Sequence, residues 1–366
     1  MESEMKILID DGMQVNVGTG IGKYTMYLYN SLRNALEKKN LVYLYQYNNS
    51  GMSKKRGRLN YLIHINSRGY RKMLVNYDVA HFTNYAIPVF RCKNVKYVVT
   101  IHDLASFKHP ESLPYIYKIY SHFVIKYSIK HANIVFTVSD SVKNEIIKKW
   151  PMYSNKVFTA YPGLYDEFAV YDTEVQKEYE NKMLKKLKTR KFFLFVGTIE
   201  KRKNLGIVIK AFLELKKQGN ANEYQLVLAG RPGFGFDEYR NIIDSSEYSD
   251  DIITTGYISV TDCKKLYRDA LAYVFPSKYE GFGSTQLECM VNHLPIILSK
   301  IPTNEEVSGE YGMFFSLDKQ SELENHMKNM IAGKYDYEEK NRIADKVCGM
   351  FRWENLVNDY IEAYTK

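Results

Sequence analysis

Two series of short apolar runs, separated by longer amphipathic stretches, constrain this chain more than any other feature. The first series falls at 6–9, 42–45, 79–82, 97–101, 134–138 and 157–160. The second falls at 192–196, 225–229, 252–255, 273–275, 296–298 and 313–315. Helix-length segments lie between several of them, notably 24–37, 115–131 and 141–149. Strands that alternate with helices predict an α/β protein whose parallel sheets are covered on both faces. Such sheets bind ligands beyond the carboxyl ends of their strands. Residues 166–190 are charged and helical in flavour, which puts a junction at about 165–190. A chain of 366 residues also suits two domains. The expected division is 1–170, 171–350 and a closing segment, 351–366.

Composition removes several classes. An apolar fraction of 45% with 25% charged residues is that of an ordinary globular protein. No apolar run approaches the ~20 residues that span a bilayer. The acidic start, Met1-Glu2-Ser3-Glu4, lacks the features of a secretory signal. Cys92, Cys263, Cys289 and Cys348 are scattered, so neither a disulfide scaffold nor a zinc site is expected, and a reducing cytoplasm is the simplest location. The net charge of +9 is uneven. Residues 1–170 hold 23 Lys and Arg against 12 Asp and Glu, leaving 28 against 30 for the remainder. The first half therefore invites an anionic partner, unless its lysines simply form a solvated face.

One stretch concentrates the chemistry: Phe275-Pro276-Ser277-Lys278-Tyr279-Glu280-Gly281-Phe282-Gly283-Ser284-Thr285-Gln286-Leu287-Glu288. A strand stops at Pro276, a turn follows with glycines at 281 and 283, and a helix is expected to start at Ser284 or Thr285. Glycines admit a ligand close to the backbone, and a helix N-terminus offers unpaired N–H donors to an anion. Glu280 and Glu288 can accept hydrogen bonds from hydroxyls. Phosphates on the helix end and hydroxyls on the acids would describe a nucleotide sugar.

Glu280, Gly281, Phe282, Gly283 and Glu288 resemble the paired-glutamate signature of retaining glycosyltransferases of family four, which have the GT-B fold. The resemblance implies two Rossmann-like domains whose parallel sheets face a central cleft, with a C-terminal helix crossing back to the first domain. Other segments carry it further. Gly197-Thr198-Ile199-Glu200-Lys201-Arg202-Lys203-Asn204-Leu205 is similar to the family's diphosphate-binding segment, and implies Lys203, with Arg202, as donor-binding. Arg202 and Lys203 before a helix also make an anion site in their own right. Many family members have arginine directly after the first glycine, where this chain has Thr198, so Arg202 is open as its substitute. The run at 228–235 and Thr255-Gly256-Tyr257-Ile258 resemble loops near the donor and its base, and the tail from Phe351-Arg352-Trp353 resembles the crossing helix.

In the first half, Gly18-Thr19-Gly20-Ile21-Gly22-Lys23 lies too far past its strand for a dinucleotide fingerprint. It is similar to the family's first glycine-rich loop, which implies that Gly20 and Gly22 approach the donor phosphates. Tyr97 to Leu104 reads as a strand ending in Thr100-Ile101-His102-Asp103-Leu104. His102 at its carboxyl end could donate a hydrogen bond to a sugar hydroxyl or a developing anion. The segment looks like one whose histidine lines the family's catalytic site, so His102 is the expected catalytic residue beside Glu280, and Asp103 a local structural partner. His81 is a weaker candidate for the acceptor side. Lys54, Lys55, Arg56, Arg58, Arg68, Arg71 and Lys72 crowd 51–72. Lys118, His122, Lys126 and Lys130 share one face of the helix at 115–131, next to a stripe of Ile116, Ile119, Phe123 and Tyr127. That stripe reads as core-facing. The lysines would dock on anionic lipid, each adding about 1 kcal/mol.

The donor set implied is Gly20, Gly22, Arg202, Lys203, Glu280, Gly281, Phe282, Gly283, Ser284 and Glu288. The resemblance implies retaining transfer of a hexose, mannose or rhamnose, from a nucleotide-diphosphate sugar to a saccharide or lipid-linked acceptor in surface-polysaccharide assembly. No metal and no further cofactor are expected, because no Asp-x-Asp signature occupies a matching place and two cations stand there instead. The enzyme is expected in the cytoplasm, in peripheral contact with the inner face of an anionic membrane. A nucleotide-sugar epimerase of the same fold is the alternative. A basic RNA-binding protein is another, although the chain shows no nucleic-acid recognition signature.

Overall fold

A computed structural model describes residues 5–12, 19–36, 41–47, 54–168, 178–187 and 191–366, with backbone alone at 54–56 and 166. The chain divides into two compact units. The first comprises Met1–Lys108, Tyr115–Leu164 and Phe351–Lys366; the second comprises His109–Pro114 and Tyr165–Met350.

The first unit is built on strands β1 (Ile7–Asp10), β2 (Val42–Tyr45), β3 (Val79–Phe82), β4 (Lys96–Ile101), β5 (Ile134–Thr137) and β6 (Val157–Thr159). All pair in parallel in the order β2-β1-β3-β4-β5-β6. Its helices are α1 (Gly20–Ala35), α2 (Lys54–Ile65), α3 (Arg68–Leu74), α4 (Ala105–Lys108), α5 (Tyr115–His131) and α6 (Asp140–Lys149), with a C-terminal helix at Trp353–Thr365. Alternation along the strands sorts these helices onto two faces. Tyr97, Val99 and Ile101 of β4 share one core with Tyr61 of α2, Tyr70 of α3, Ile125 of α5 and Val142 of α6. His81 and Thr100 point to the other face, where α1 and the C-terminal helix pack together.

A chain of buried hydrogen bonds ties that helix down. His81 Nδ1 lies 2.7 Å from the Tyr364 hydroxyl and its Nε2 2.7 Å from Thr100 Oγ1. Tyr24 joins Thr100 at 3.0 Å and donates to Tyr360 at 3.2 Å, and Tyr360 donates to the Ala160 carbonyl at 3.0 Å. A Cβ on Gly163 would stand 2.5 Å from the Trp353 ring, so only glycine lets the start of this helix seat.

Several expectations need correction. Helix α1 starts at Gly20, four residues earlier than its apolar pattern suggested, because Thr19 Oγ1 caps it by accepting from Gly22 N at 3.2 Å. The basic region at 51–72 contains two helices, α2 and α3, that charge had obscured. Helix α5 buries Ser121, Val124, Ile125, Ser128 and Ile129, whereas Ile116, Ile119 and Phe123 are exposed. The described part of 166–190 holds only short 3-10 turns, at Asp166–Phe168 and Leu184–Lys186. Gly18, in the glycine-rich loop, lies outside the described residues.

The second unit repeats the design with β7 (Phe192–Val196), β8 (Gln225–Ala229), β9 (Ile252–Gly256), β10 (Ala272–Phe275), β11 (Ile296–Ser299) and β12 (Met313–Phe315). The order β12-β11-β10-β7-β8-β9 is again parallel throughout. Its helices are α7 (Leu205–Lys217), α8 (Phe236–Asp244), α9 (Val260–Asp269), α10 (Ser284–Met290), α11 (Pro302–Ser308), α12 (Gln320–Ile331) and α13 (Tyr337–Met350). The winding reverses between β7 and β10, the place where doubly wound sheets open a crevice for ligands.

Burial pushes the His81 imidazole down to about 3, so it is held neutral. The unfolded chain protonates this group near its usual 6.5, and the folded chain resists until about 3. Stability from His81 is therefore complete above pH 6.5 and falls as pH drops. Between pH 7 and 5 the loss should be roughly 2 kcal/mol, at about 1.4 kcal/mol per pH unit. Both tryptophans, Trp150 and Trp353, belong to the first unit, as His81 does, so their emission in urea reads its unfolding. His81→Gln should flatten the pH dependence by that amount; an unchanged slope would contradict the assignment.

Candidate donor site

Two loops leave the carboxyl edge of neighbouring strands. Strand β7 pairs directly with β10, with Phe193 opposite Ala272 and Leu194 opposite Tyr273. Because the pairing is parallel, the loops after both strands emerge side by side. The loop after β7 carries a 3-10 turn at Lys201–Lys203, and Asn204 caps α7 in the left-handed region at φ 53°. The loop after β10 carries Pro276 to Gly283. Lys278 N donates to the Arg202 carbonyl at 3.0 Å, which joins them through the backbone.

Glu280 is the centre of the cluster. It is 7% exposed, and its Oε1 accepts from Lys203 Nζ at 2.7 Å and stands 3.2 Å from Arg202 Nη1. Arg202 also donates to the Tyr279 carbonyl at 2.6 Å and to Glu200 Oε1 at 2.8 Å. Lys203 Nζ lies 4.7 Å above the Phe275 ring. Burial alone would raise the Glu280 carboxyl, but Lys203 and then Arg202 hold it down at about 2. Burial lowers the Lys203 ammonium, against the pull of Glu280. Two cations and two carboxylates therefore balance inside the cluster. The cations are pre-positioned rather than surplus, and an incoming diphosphate must compete with Glu200 and Glu280 for them.

The turn beyond is held by side chains. Gly283, the N-cap of α10, sits at φ 79°, and a Cβ there would strike Gln286 Nε2. Gln286 donates to Asn304 Oδ1 at 2.8 Å and accepts from Ser308 Oγ, while Asn304 Nδ2 donates to the Ser299 carbonyl at 2.9 Å. Thr303 Oγ1 donates to the Glu280 carbonyl at 2.9 Å. On α10, Glu288 is buried and accepts from the Tyr267 hydroxyl at 2.7 Å. The structure thus gathers Arg202, Lys203, Glu280, Gly281, Phe282, Gly283, Ser284 and Glu288 on the β7 and β10 loops and the α10 start. Two further loops meet where Arg231, after β8, lies 4.5 Å over the Tyr257 ring, after β9.

Tyr267, Thr303, Gln286 and Glu200 are supporting residues that sequence reading passed over. No local pattern points to Tyr267 or Thr303, because each reaches the site through a different helix. Glu200 was legible as an acid two residues before Arg202 in the same segment.

His102, Gly20 and Gly22 belong to the first unit. Gly20 and Gly22 form the first turn of α1, and the Gly22 N–H is already given to Thr19. His102 follows β4 and its Nε2 stands 2.7 Å from the Thr83 carbonyl, which can only accept. Nε2 therefore carries the proton. Burial lowers the ring's pKa, so it is neutral near pH 7, with Nδ1 as an acceptor. That reverses the expected polarity at this atom: Nδ1 can accept a hydrogen bond but not donate one. Tyr24 meets its face edge-on with centroids 5.0 Å apart. His81, with both nitrogens engaged in the core, is a structural residue. Among the described residues no group of three or more His, Cys, Asp or Glu could hold a metal ion.

Residues 25–168 match the Glycosyltransferase Family 4 description, and residues 176–346 match Glycosyl transferases group 1. The chain carries both in that order and belongs to this family of GT-B glycosyltransferases. The O-antigen chain mannosyltransferase RfbU of Salmonella typhimurium is 29% identical over 68% of this chain and 63% of that protein. The O-antigen chain mannosyltransferase B of Escherichia coli is 26% identical over 73% and 69%. Anabaena HepE, solved with UDP-glucose, shares the fold with a TM-score of 0.74 at 14% identity, covering 99% of each chain.

Replacing Glu280 by Gln should leave Lys203 and Arg202 short of a buried counter-charge and destabilise the second unit by about 3–5 kcal/mol at pH 7. The wild-type advantage should be complete above the ordinary value of 4.5 and disappear as pH falls toward 2. Urea denaturation followed by far-ultraviolet circular dichroism reads both. Equal stability at pH 7 would show that the carboxylate is not the partner of the two cations.

Proposed function

We propose that this chain is a retaining glycosyltransferase that moves a hexose, mannose or rhamnose, from a nucleotide-diphosphate sugar to a saccharide or lipid-linked saccharide. The observation that supports it most is the buried Lys203–Glu280–Arg202 cluster at the winding reversal of a parallel sheet. The O-antigen relatives support mannose and a role in surface-polysaccharide assembly. The second unit holds the donor and the first takes the acceptor. Lys203 and Arg202 turn from Glu280 and Glu200 toward the diphosphate, whose charge grows as it leaves. A cation matched to that growing charge lowers the barrier rather than only binding the ground state. Glu280 and the 281–283 backbone hold the sugar, Ser284 at the α10 start binds the donor, and Glu288 holds the ribose, with Tyr267 fixing its orientation. His102 accepts from a sugar hydroxyl at Nδ1. With two cations on the leaving group, the reaction needs no metal. The enzyme works in the cytoplasm, in peripheral contact with the anionic inner surface that presents its acceptor.

A panel of nucleoside-diphosphate hexoses, scored for nucleoside-diphosphate release with and without lipid-linked acceptors, tests the class and the sugar together. Release should be acceptor-dependent, greatest with a mannose or rhamnose donor, and unaffected by EDTA. Activity lost to EDTA and restored by Mg²⁺ would overturn the metal-free account. Lys203→Met should weaken nucleoside-diphosphate binding by about tenfold or more, since a charge-assisted contact is worth about 1.5–3 kcal/mol. Wild-type affinity in that variant by calorimetry would remove the donor site.

A further inference from the structure

The membrane contact just proposed was read from charge, and the structure adds a feature that charge did not show. Tyr115, Ile116, Ile119 and Phe123 of α5 are 74%, 65%, 53% and 70% exposed. They do not stand alone. Leu59 and Ile63 of α2 and Val89 and Phe90 of the loop after β3 are exposed as well. These pieces are joined. Arg58 of α2 lies 4.6 Å over the Tyr117 ring of α5. Asn66, just past α2, accepts from Val89 N at 2.7 Å, and Tyr127 of α5 donates to the Val89 carbonyl at 3.3 Å. Helices α2, α3 and α5 pack on the same face of the sheet, so their outer surfaces look the same way.

The elements that carry this apolar surface bear charge of one sign only, and Glu145 of the neighbouring α6 is paired with Lys108 at 3.4 Å. Neither α2, α3, the loop at 83–95 nor α5 contains a single Asp or Glu. Arg68, Arg71, Lys72, Arg91, Lys126 and Lys130 flank it. A cavity of 550 Å³ opens beside Ile119 and Phe123, walled by Phe107 and Trp150, with Lys126 and Lys149 on its lining. Large aliphatic and aromatic groups set among cations suit the boundary between anionic headgroups and acyl chains. A second copy of this chain would bring the same cations against it, and a nucleic acid offers no apolar layer for five aliphatic side chains.

We infer that α2, the loop at 83–95 and α5 form a surface that inserts into the interfacial layer of an anionic bilayer. Ile116, Ile119 and Phe123 enter the acyl boundary, lysines and arginines meet lipid phosphates, and the cavity takes part of one lipid. This rests on the membrane contact in the proposed function, and it specifies that the contact is apolar as well as electrostatic.

The test uses the full chain with vesicles of phosphatidylcholine, alone or with phosphatidylglycerol as roughly a third of the lipid. The protein should sediment with the anionic vesicles, and part of that binding should survive high salt, because apolar burial is not screened. The triple variant Ile116→Ser, Ile119→Ser, Phe123→Ser should bind about tenfold more weakly at both salt levels. Its nucleoside-diphosphate affinity, measured on the same sample, should match wild type and so report an intact fold. Phe123→Trp should add a blue-shifted emission with anionic vesicles alone. Equal binding to neutral vesicles, binding that the triple variant leaves unchanged, self-association abolished by that variant, or RNA binding that competes with vesicles would each overturn the inference. A protein that binds vesicles as expected but no nucleoside diphosphate would instead refute the donor reading.

Discussion

A carboxylate out of water, held by two cations from another loop, is the interaction on which the candidate site depends. Burying Glu280 costs several kcal/mol unless its charge is met, and Lys203 and Arg202 meet it. Neither loop could satisfy these charges alone. They are neighbours only because β7 and β10 lie side by side where the sheet reverses its winding. Topology thus supplies the proximity and electrostatics fixes the geometry. The arrangement also keeps Glu280 ionised through the physiological range, ready to accept from hydroxyls whenever its cations turn elsewhere.

Much of this is legible in the amino-acid sequence alone. Every strand was visible as an apolar run, since strands buried on both faces need continuous hydrophobicity. The loops that build the candidate site were visible from Arg202-Lys203 and from Gly281 and Gly283. What stayed hidden has a common cause. Tyr267, Thr303, Asn304 and Ser308 act on the site from other elements, and no spacing in sequence encodes a contact made through the tertiary fold. The polarity of His102 was hidden for the same reason, because the Thr83 carbonyl that fixes its tautomer is 19 positions away.

Helix α5 shows a different limit. Its residues offer two plausible stripes, one through Ile116, Ile119 and Phe123 and another through Val124, Ile125 and Ile129. Hydrophobicity favoured the first. The second went inward because Ser121 and Ser128 provide small side chains that let the helix lie close to the sheet, with Ser128 Oγ accepting from Ile87 N at 3.3 Å. Amphipathic pattern tells that a face will be buried; it does not tell what buries it. Here one apolar face met the core and the other lies exposed.

The C-terminal helix belongs to the first unit although Tyr165–Met350 of the second unit separates it from β6. A ribosome therefore releases the six strands of the first sheet long before Tyr360 and Tyr364 exist to reach Thr100 and His81. Until then, among the described helices, that face of the nascent sheet has α1 to cover it, and His81 lacks its Tyr364 partner and Tyr24 its Tyr360 partner. Domains that complete in order of synthesis escape such a wait. This chain cannot: its first domain to emerge is its last to finish, and its second can close while the first is still open. Exposure during translation, rather than equilibrium stability, is the cost of tying the end of the chain to its beginning.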